Sequence, residues 1–309
     1  MKLVVHLADF GWPVEADELA GLLGDVAELT EAGGFDGIAV GDHLWQHPIM
    51  GGPEGACLEA YTTLGFLAAN TASIRLMTLA TGAHFRHPGV LAKTVTTLDV
   101  LSSGRAWLGI GTGHYQEECE GLGVPFPPLA ERYEVLEDAL EMCSRMWSGE
   151  HGDDGPFDGH HVHAQRLLNL PQALQRPRPP ILIAGDGERR TLPLVARYAD
   201  ACSLRPTPEI PHKLDVLRRH CERAGTDFDR IERTCAYAFD LDDGGPATRE
   251  LIEQLRWLSG LGIDTVIGRL EGLEQRTPVE LLARHVVPVA AELPDPTGGV
   301  TSHGRSGRQ

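Results

Sequence analysis

A chain of 309 residues, 42% of them hydrophobic, can bury enough apolar surface for one large α/β domain or two smaller ones. Its formal charge of −17 gives a surface that repels phosphate backbones, which excludes nucleic acid as a partner. No stretch nears the roughly 20 apolar residues of a membrane span and no basic-then-apolar leader opens the chain, so a soluble, cytoplasmic protein without membrane partners is expected.

Runs rich in Val, Ile, Leu and Ala recur along the chain and predict eight strands. They cover Leu3 to Ala8, Gly37 to Val40, Arg75 to Ala80, Arg105 to Ile110, Pro180 to Ala184, Ala201 to Leu204, Arg233 to Phe239 and Asp264 to Leu270. Helical spacing lies between most of them, as in Leu19, Leu22, Leu23, Val26 and Leu29, in Tyr133, Leu136, Leu140, Cys143 and Trp147, and in Val279, Leu282, Val286 and Val289. Strands apolar on both faces, alternating with helices, imply a parallel sheet covered by helices. Eight such units predict a (β/α)8 TIM barrel as a single domain over residues 1–293, with a doubly wound open sheet as the alternative.

Two stretches break the alternation. The Gly- and Pro-rich segment 150–178 reads as an insertion before strand five, with "FDGHHVH" as a small hairpin. The polar, glycine-rich segment 294–309 reads as a flexible tail. The six cysteines contain no C-x-x-C pair, so neither a disulfide framework nor a cysteine zinc site is indicated.

In a barrel of this kind the active site is built from the loops after the strands. Those loops offer Asp9, Phe10 and Trp12; then Asp42, His43, Trp45 and His47; then Thr81, His84, Arg86 and His87; then Thr112, Gly113 and His114. The later strands add "AGDGERR", Arg205, Asp240 and Arg269. In "TGAHFRHPG", Pro88 suits the first turn of a helix, where its missing N–H is not needed.

"GFDGIAVGDHLW", "RLMTLATGAHFRHPGVLAKTVTTLDVLSSGRAWLGIGTG", "GVPFPPLAERYEVLEDAL" and "PPILIAGDGERRTLPLVARYAD", in this order, resemble the luciferase-like monooxygenase superfamily, above all its F420-dependent oxidoreductase branch. The resemblance runs over nearly all of residues 1–290. It implies a TIM barrel with an insertion, a deazaflavin or flavin lying across the strand ends, and a homodimer. It also places Asp42 and His43 beside the cofactor's ring system, with His43 as the acid/base or charge-stabilising group during hydride transfer. An imidazole suits that task because its pKa lies near neutrality. The superfamily's non-prolyl cis peptide on the third strand corresponds to Leu79-Ala80, which with Thr81 would form the shelf under the ring.

The loops holding Thr112, Gly113 and His114, and Ala184, Gly185, Asp186 and Gly187, read as phosphate holders, since glycine-rich turns at helix starts present backbone N–H groups to anions. A dinucleotide fingerprint is not met, because His114 stands where its third glycine would be needed. Asp186 departs from the family pattern, and a carboxylate there calls for a nearby arginine such as Arg189 or Arg190. Trp12, Trp45, His47 and His84 are expected to line the pocket of a small-molecule substrate.

The functional expectation is hydride transfer between C5 of F420 and that substrate. An FMN-dependent monooxygenase shares the barrel and is the alternative cofactor reading, since the cofactor decides the reaction class. A zinc hydrolase would need several ligands at strand ends, whereas strand one offers only His6 and His161 and His163 fall in the insertion, so no metal is expected. A non-catalytic cofactor-binding protein is the remaining reading.

Overall fold

The computed structural model describes residues 1–294; the tail expected over 294–309 lies, beyond its first residue, outside them. Eight parallel strands form the barrel: β1 (Lys2–Leu7), β2 (Gly37–Val40), β3 (Arg75–Thr78), β4 (Ala106–Gly111), β5 (Ile181–Ala184), β6 (Ala201–Leu204), β7 (Glu232–Phe239) and β8 (Thr265–Leu270). Each pairs with its sequence neighbour, and β1 pairs with β8 to close the ring. The expected TIM barrel is therefore the observed fold. Short apolar runs sufficed to locate its strands because a strand buried on both faces has no polar side to interrupt the run.

Helices cover the outside. Leu19–Ala32 buries Leu23, Val26 and Ala27, and Leu129–Met146 buries Leu136, Leu140 and Cys143. Pro88 opens the helix Pro88–Leu101, and His87 caps it by accepting from the Gly89 amide at 3.1 Å. The last predicted helix divides into Thr277–His285 and Val287–Glu292, because Pro288 cannot continue the first one. Its buried face accordingly ends on Ala290, with Val289 only half-buried. Within 150–178, Phe157–Asp158 and His163–Ala164 pair antiparallel, and Asp138 accepts from the amides of His160, His161 and Val162 at their turn.

Inside the barrel, Val4, Ala39, Met77, Leu182, Ala201 and Ile267 pack together with Leu79, Trp107 and Ala184. The N-terminal ends of the strands are closed by ions. Glu232 accepts from Arg75 at 2.8 Å, Lys2 at 3.2 Å and Thr265 at 2.6 Å, and the Arg75 guanidinium stacks 4.6 Å from the Trp107 ring. Buried Arg233 adds a two-pronged pair to Asp264, at 2.8 and 3.0 Å.

The third strand ends two residues earlier than its apolar run predicts. Met77 faces Trp107 and Thr81 faces Ile110, so four steps along one strand match three along the other, a one-residue bulge. The Leu79-Ala80 peptide in this bulge is cis, as the family resemblance implies. Here the Thr78 carbonyl presses onto β4, and a Cβ at Gly109 would stand 1.8 Å from that oxygen. Gly109→Ala must shift one of the two backbones, and overpacking of this kind costs about 2 kcal/mol or more. Urea denaturation of the variant is expected to show that loss.

Candidate active site

At the C-terminal ends of the strands the barrel interior is open. Ala236 and Ala238, whose register puts them on the inner face beside Ile267 and Arg269, are solvent-exposed although they lie within the strand. Around them the mouth is lined by small residues: Ala184 on β5, Ser203 on β6, Gly111 on β4 and Gly41 after β2. A Cβ built on Gly41 meets nothing nearer than 3.8 Å, and one on Gly111 nothing nearer than 3.4 Å. The side chains that would fill this layer are missing, which leaves a shallow depression suited to a flat ring system.

Asp42 is buried and forms a two-pronged ion pair with Arg86, at 2.5 and 3.0 Å. Arg86 also reaches Glu59 at 2.5 Å and lies 4.9 Å above the Tyr61 ring. Tyr61 hydrogen-bonds Thr81 at 2.8 Å, and Thr81 donates to Thr78 at 3.3 Å. Both carboxylate oxygens of Asp42 are thus engaged by the arginine.

His43 stands beside Asp42 with its ring partly exposed. Its Nδ1 lies 3.0 Å from Oε2 of Glu118, a fully buried carboxylate in the first turn of the helix Gln116–Leu122. Glu118 Oε1 accepts from the Trp45 amide at 2.9 Å and from the Leu44 amide. Burial alone would push the Glu118 carboxyl up, but the bonds from His43 and these two amides outweigh it and hold the group below its ordinary value. The His43 carbonyl accepts from the Cys57 thiol at 3.2 Å, and Gln46 ties the same loop to Asp9 at 2.6 Å.

The rings of His47, His114 and Tyr115 lie 5.4, 5.5 and 5.9 Å from the His43 ring. His47 and His114 face each other with their Nε2 atoms 3.2 Å apart. Burial, and then the neighbouring His43, lower the pKa of both, which favours a neutral pair sharing one N–H. Three of the sequence-derived histidines therefore form one cluster at the rim.

The other expected pocket residues lie elsewhere in the loops. His84 Nε2 contacts the Cys119 sulfur at 3.2 Å, and its ring packs tilted against Phe85 and edge-on against Phe126. Its Cε1 sits only 2.2 Å from where a Cβ on Gly113 would be, so Gly113, with φ +73°, is required by both space and backbone. Trp45 lies over Gly121, where a Cβ would stand 2.0 Å from the indole. Trp12 packs against Phe10.

On the far side of the mouth, Asp186 pairs with Arg205 of the β6 loop at 2.8 Å. The offsetting arginine is thus neither Arg189 nor Arg190, because Arg205 lies at the end of the adjacent strand, while Arg190 rests over Tyr133. Among the described residues, the amides of Glu188, Arg189 and Arg190, and those of Gly113, His114 and Tyr115, have no protein acceptor. Between the ends of β7 and β8 a cavity of about 390 Å³ is lined by Asp240, Arg269, Glu271, Pro278 and Leu281. Among the described residues no group of three or more His, Cys, Asp and Glu is placed to hold a metal ion, and no helix is long and apolar enough to cross a membrane.

Glu118, Tyr115 and His6 are the members of this region that the loop inventory does not single out. The signal for Glu118 is a carboxylate next to Cys119 on the buried face of a short helix. His6, on the inner face of β1, has a buried Nε2 without a partner among the described residues, and burial with help from Arg269 lowers its pKa to about 4. The folded value lies below the 6.5 of an unperturbed histidine, so the unfolded chain takes up the proton first as the pH falls. The neutral ring's contribution is intact above about pH 6.5 and is lost as the pH drops towards 4. His6→Gln is expected to flatten the fall in Tm across that window, as measured by calorimetry.

The luciferase-like monooxygenase family model matches residues 4–284. An F420-dependent glucose-6-phosphate dehydrogenase of Kineococcus radiotolerans is 30% identical over 82% of the chain and 73% of its own length. The Nakamurella multipartita protein of the same description is also 30% identical, over 72% of the chain and 65% of its own length, so less than two thirds of that relative is spanned. Among solved structures, an F420-dependent secondary alcohol dehydrogenase bound to an F420–acetone adduct superposes with a TM-score of 0.77 at 15% identity, covering 94% of this chain and 98% of that one. By the extent of the family match, this chain belongs to the luciferase-like monooxygenase family.

Proposed function

We propose that this chain is an F420-dependent oxidoreductase acting on a small organic substrate, with His43 as the group that exchanges the substrate's proton. The observation that carries the reading is His43 itself, partly exposed at the rim of an open barrel mouth and backed by a buried carboxylate. Kinship with F420-dependent dehydrogenases supports the cofactor.

The residues present fit that group. The exposed inner alanines and the bare Gly41 and Gly111 leave room for a planar ring, and Leu79, Ala80 and Thr81 would support one face of it. The amides following Thr112 and those following Gly187 would hold phosphate oxygens, because unpaired N–H groups at helix starts attract anions. The Asp42–Arg86 pair would hold the loop that carries His43. When bound, F420 supplies a two-electron hydride carrier that favours hydride transfer over oxygen chemistry. The protein's own part is to orient the substrate beside His43, with His47 and His114 at the rim, and to move a proton at the His43 imidazole. In the oxidising direction that proton comes from a substrate hydroxyl, and in the reducing direction it returns to a carbonyl oxygen.

Titrating the protein with F420 and, in parallel, FMN tests the cofactor, with micromolar or tighter binding of F420 alone as the expected result. Preference for FMN would favour oxygen chemistry on the same barrel, and binding of neither would revive a non-catalytic role. A screen with glucose 6-phosphate and simple secondary alcohols then reads turnover. His43→Ala is expected to lose about a hundredfold or more in kcat with F420 affinity unchanged, the usual scale for removing a general acid/base.

A homodimer belongs to the same reading. The helices Ala60–Ala69 and Pro88–Leu101 expose Phe66, Val90 and Leu101, the last of them 72% exposed, and Val90 and Leu101 line a groove of about 540 Å³. Apolar patches of this kind mark association surfaces. Leu101→Glu is expected to convert the dimer to monomer in analytical ultracentrifugation.

A further inference from the structure

The environment of Glu118 dictates which nitrogen of His43 can work. A carboxylate accepts and cannot donate, and this one is kept ionised by the three donors around it. His43 Nδ1, 3.0 Å from Oε2, must therefore carry a hydrogen. That leaves Nε2 as the nitrogen with a free lone pair.

We propose that Glu118 is the positioning residue of the reaction. It holds His43 as the Nδ1–H tautomer and balances the imidazolium charge when Nε2 takes the proton of a substrate hydroxyl. In that step the substrate O–H bond breaks, an Nε2–H bond forms, and Glu118 stays ionised throughout. The assignment rests on His43 being the proton-exchanging group. Its counterpart is the role of a buried aspartate beside a catalytic histidine in serine proteases, where the amide replacement keeps the shape and imposes the wrong tautomer.

Two structural features separate this role from simple loop support. Oε1 serves the amides of Leu44 and Trp45, whereas Oε2 serves the imidazole. In Glu118→Gln the amide oxygen can still accept from both loop amides, while its NH2 group faces Nδ1 and requires an acceptor there. The variant therefore keeps the loop bonds and reverses the imidazole.

The test is long-range ¹H–¹⁵N NMR of the ¹⁵N-labelled full chain, with the His43 signals assigned by their loss in His43→Gln. The wild-type protein is expected to show His43 protonated on Nδ1, and Glu118→Gln to show it protonated on Nε2. With whichever alcohol is turned over, Glu118→Gln is expected to lose about a hundredfold or more in kcat while F420 affinity stays within about threefold. An Nε2–H tautomer in the wild type overturns the assignment without any variant having to fold. So does a Glu118→Gln enzyme with wild-type kcat while His43→Gln is inactive. Full turnover in His43→Gln would instead overturn the acid–base reading beneath it, leaving the tautomer measurement to stand separately.

Discussion

One guanidinium holds the reactive end of this barrel together. Arg86 sits in the loop after β3, grips both oxygens of buried Asp42 after β2, reaches Glu59 and covers the ring of Tyr61. Glu59 in turn caps the helix Ala60–Ala69 by accepting from the Thr62 amide at 2.7 Å. Through Tyr61 the network continues to Thr81 and Thr78, and Thr78 donates to the Gly109 carbonyl on β4 at 2.7 Å. Removing one member of a buried pair leaves an uncompensated charge, at a cost of about 3–5 kcal/mol. Three consecutive strand ends and one helix start therefore share a single electrostatic centre, and the His43 loop takes its place from it.

Above this centre the chemistry is arranged by contrast. The acidic groups next to His43 are buried and fully hydrogen-bonded, whereas His47 and His114 at the rim are biased towards the neutral form. Burial penalises an isolated charge, so each buried carboxylate survives only with donors aimed at it. The arrangement leaves the partly exposed imidazole of His43 within reach of the mouth.

The barrel was legible in the sequence because its strands are buried on both faces and read as uninterrupted apolar runs. Their ends were less so. The run from Arg75 to Ala80 gives no sign that pairing stops at Thr78, since a bulge changes register and leaves composition untouched. The histidines of the rim could be found one loop at a time, yet their grouping depends on loops 67 and 71 residues apart in sequence. Glu118 was missed for the same reason: its partner lies 75 residues away, and adjacent acidic residues at a helix start ordinarily signify no more than a favourable dipole. Asp186 shows the converse, a correctly suspected charge whose partner, Arg205, comes from the neighbouring strand end and not from the nearby arginines.

The two ends of the barrel are fastened independently. Arg75, Glu232, Lys2, Arg233 and Asp264 secure the strand starts, and none of them reaches the mouth. A substitution at the rim therefore leaves the ion pairs that close the ring untouched. The same backbone frame is found in a solved structure that agrees with this chain at only 15% of positions, with a TM-score of 0.77 over 94% of this chain. Shape is secured at the floor, and the doorway is left free of that duty.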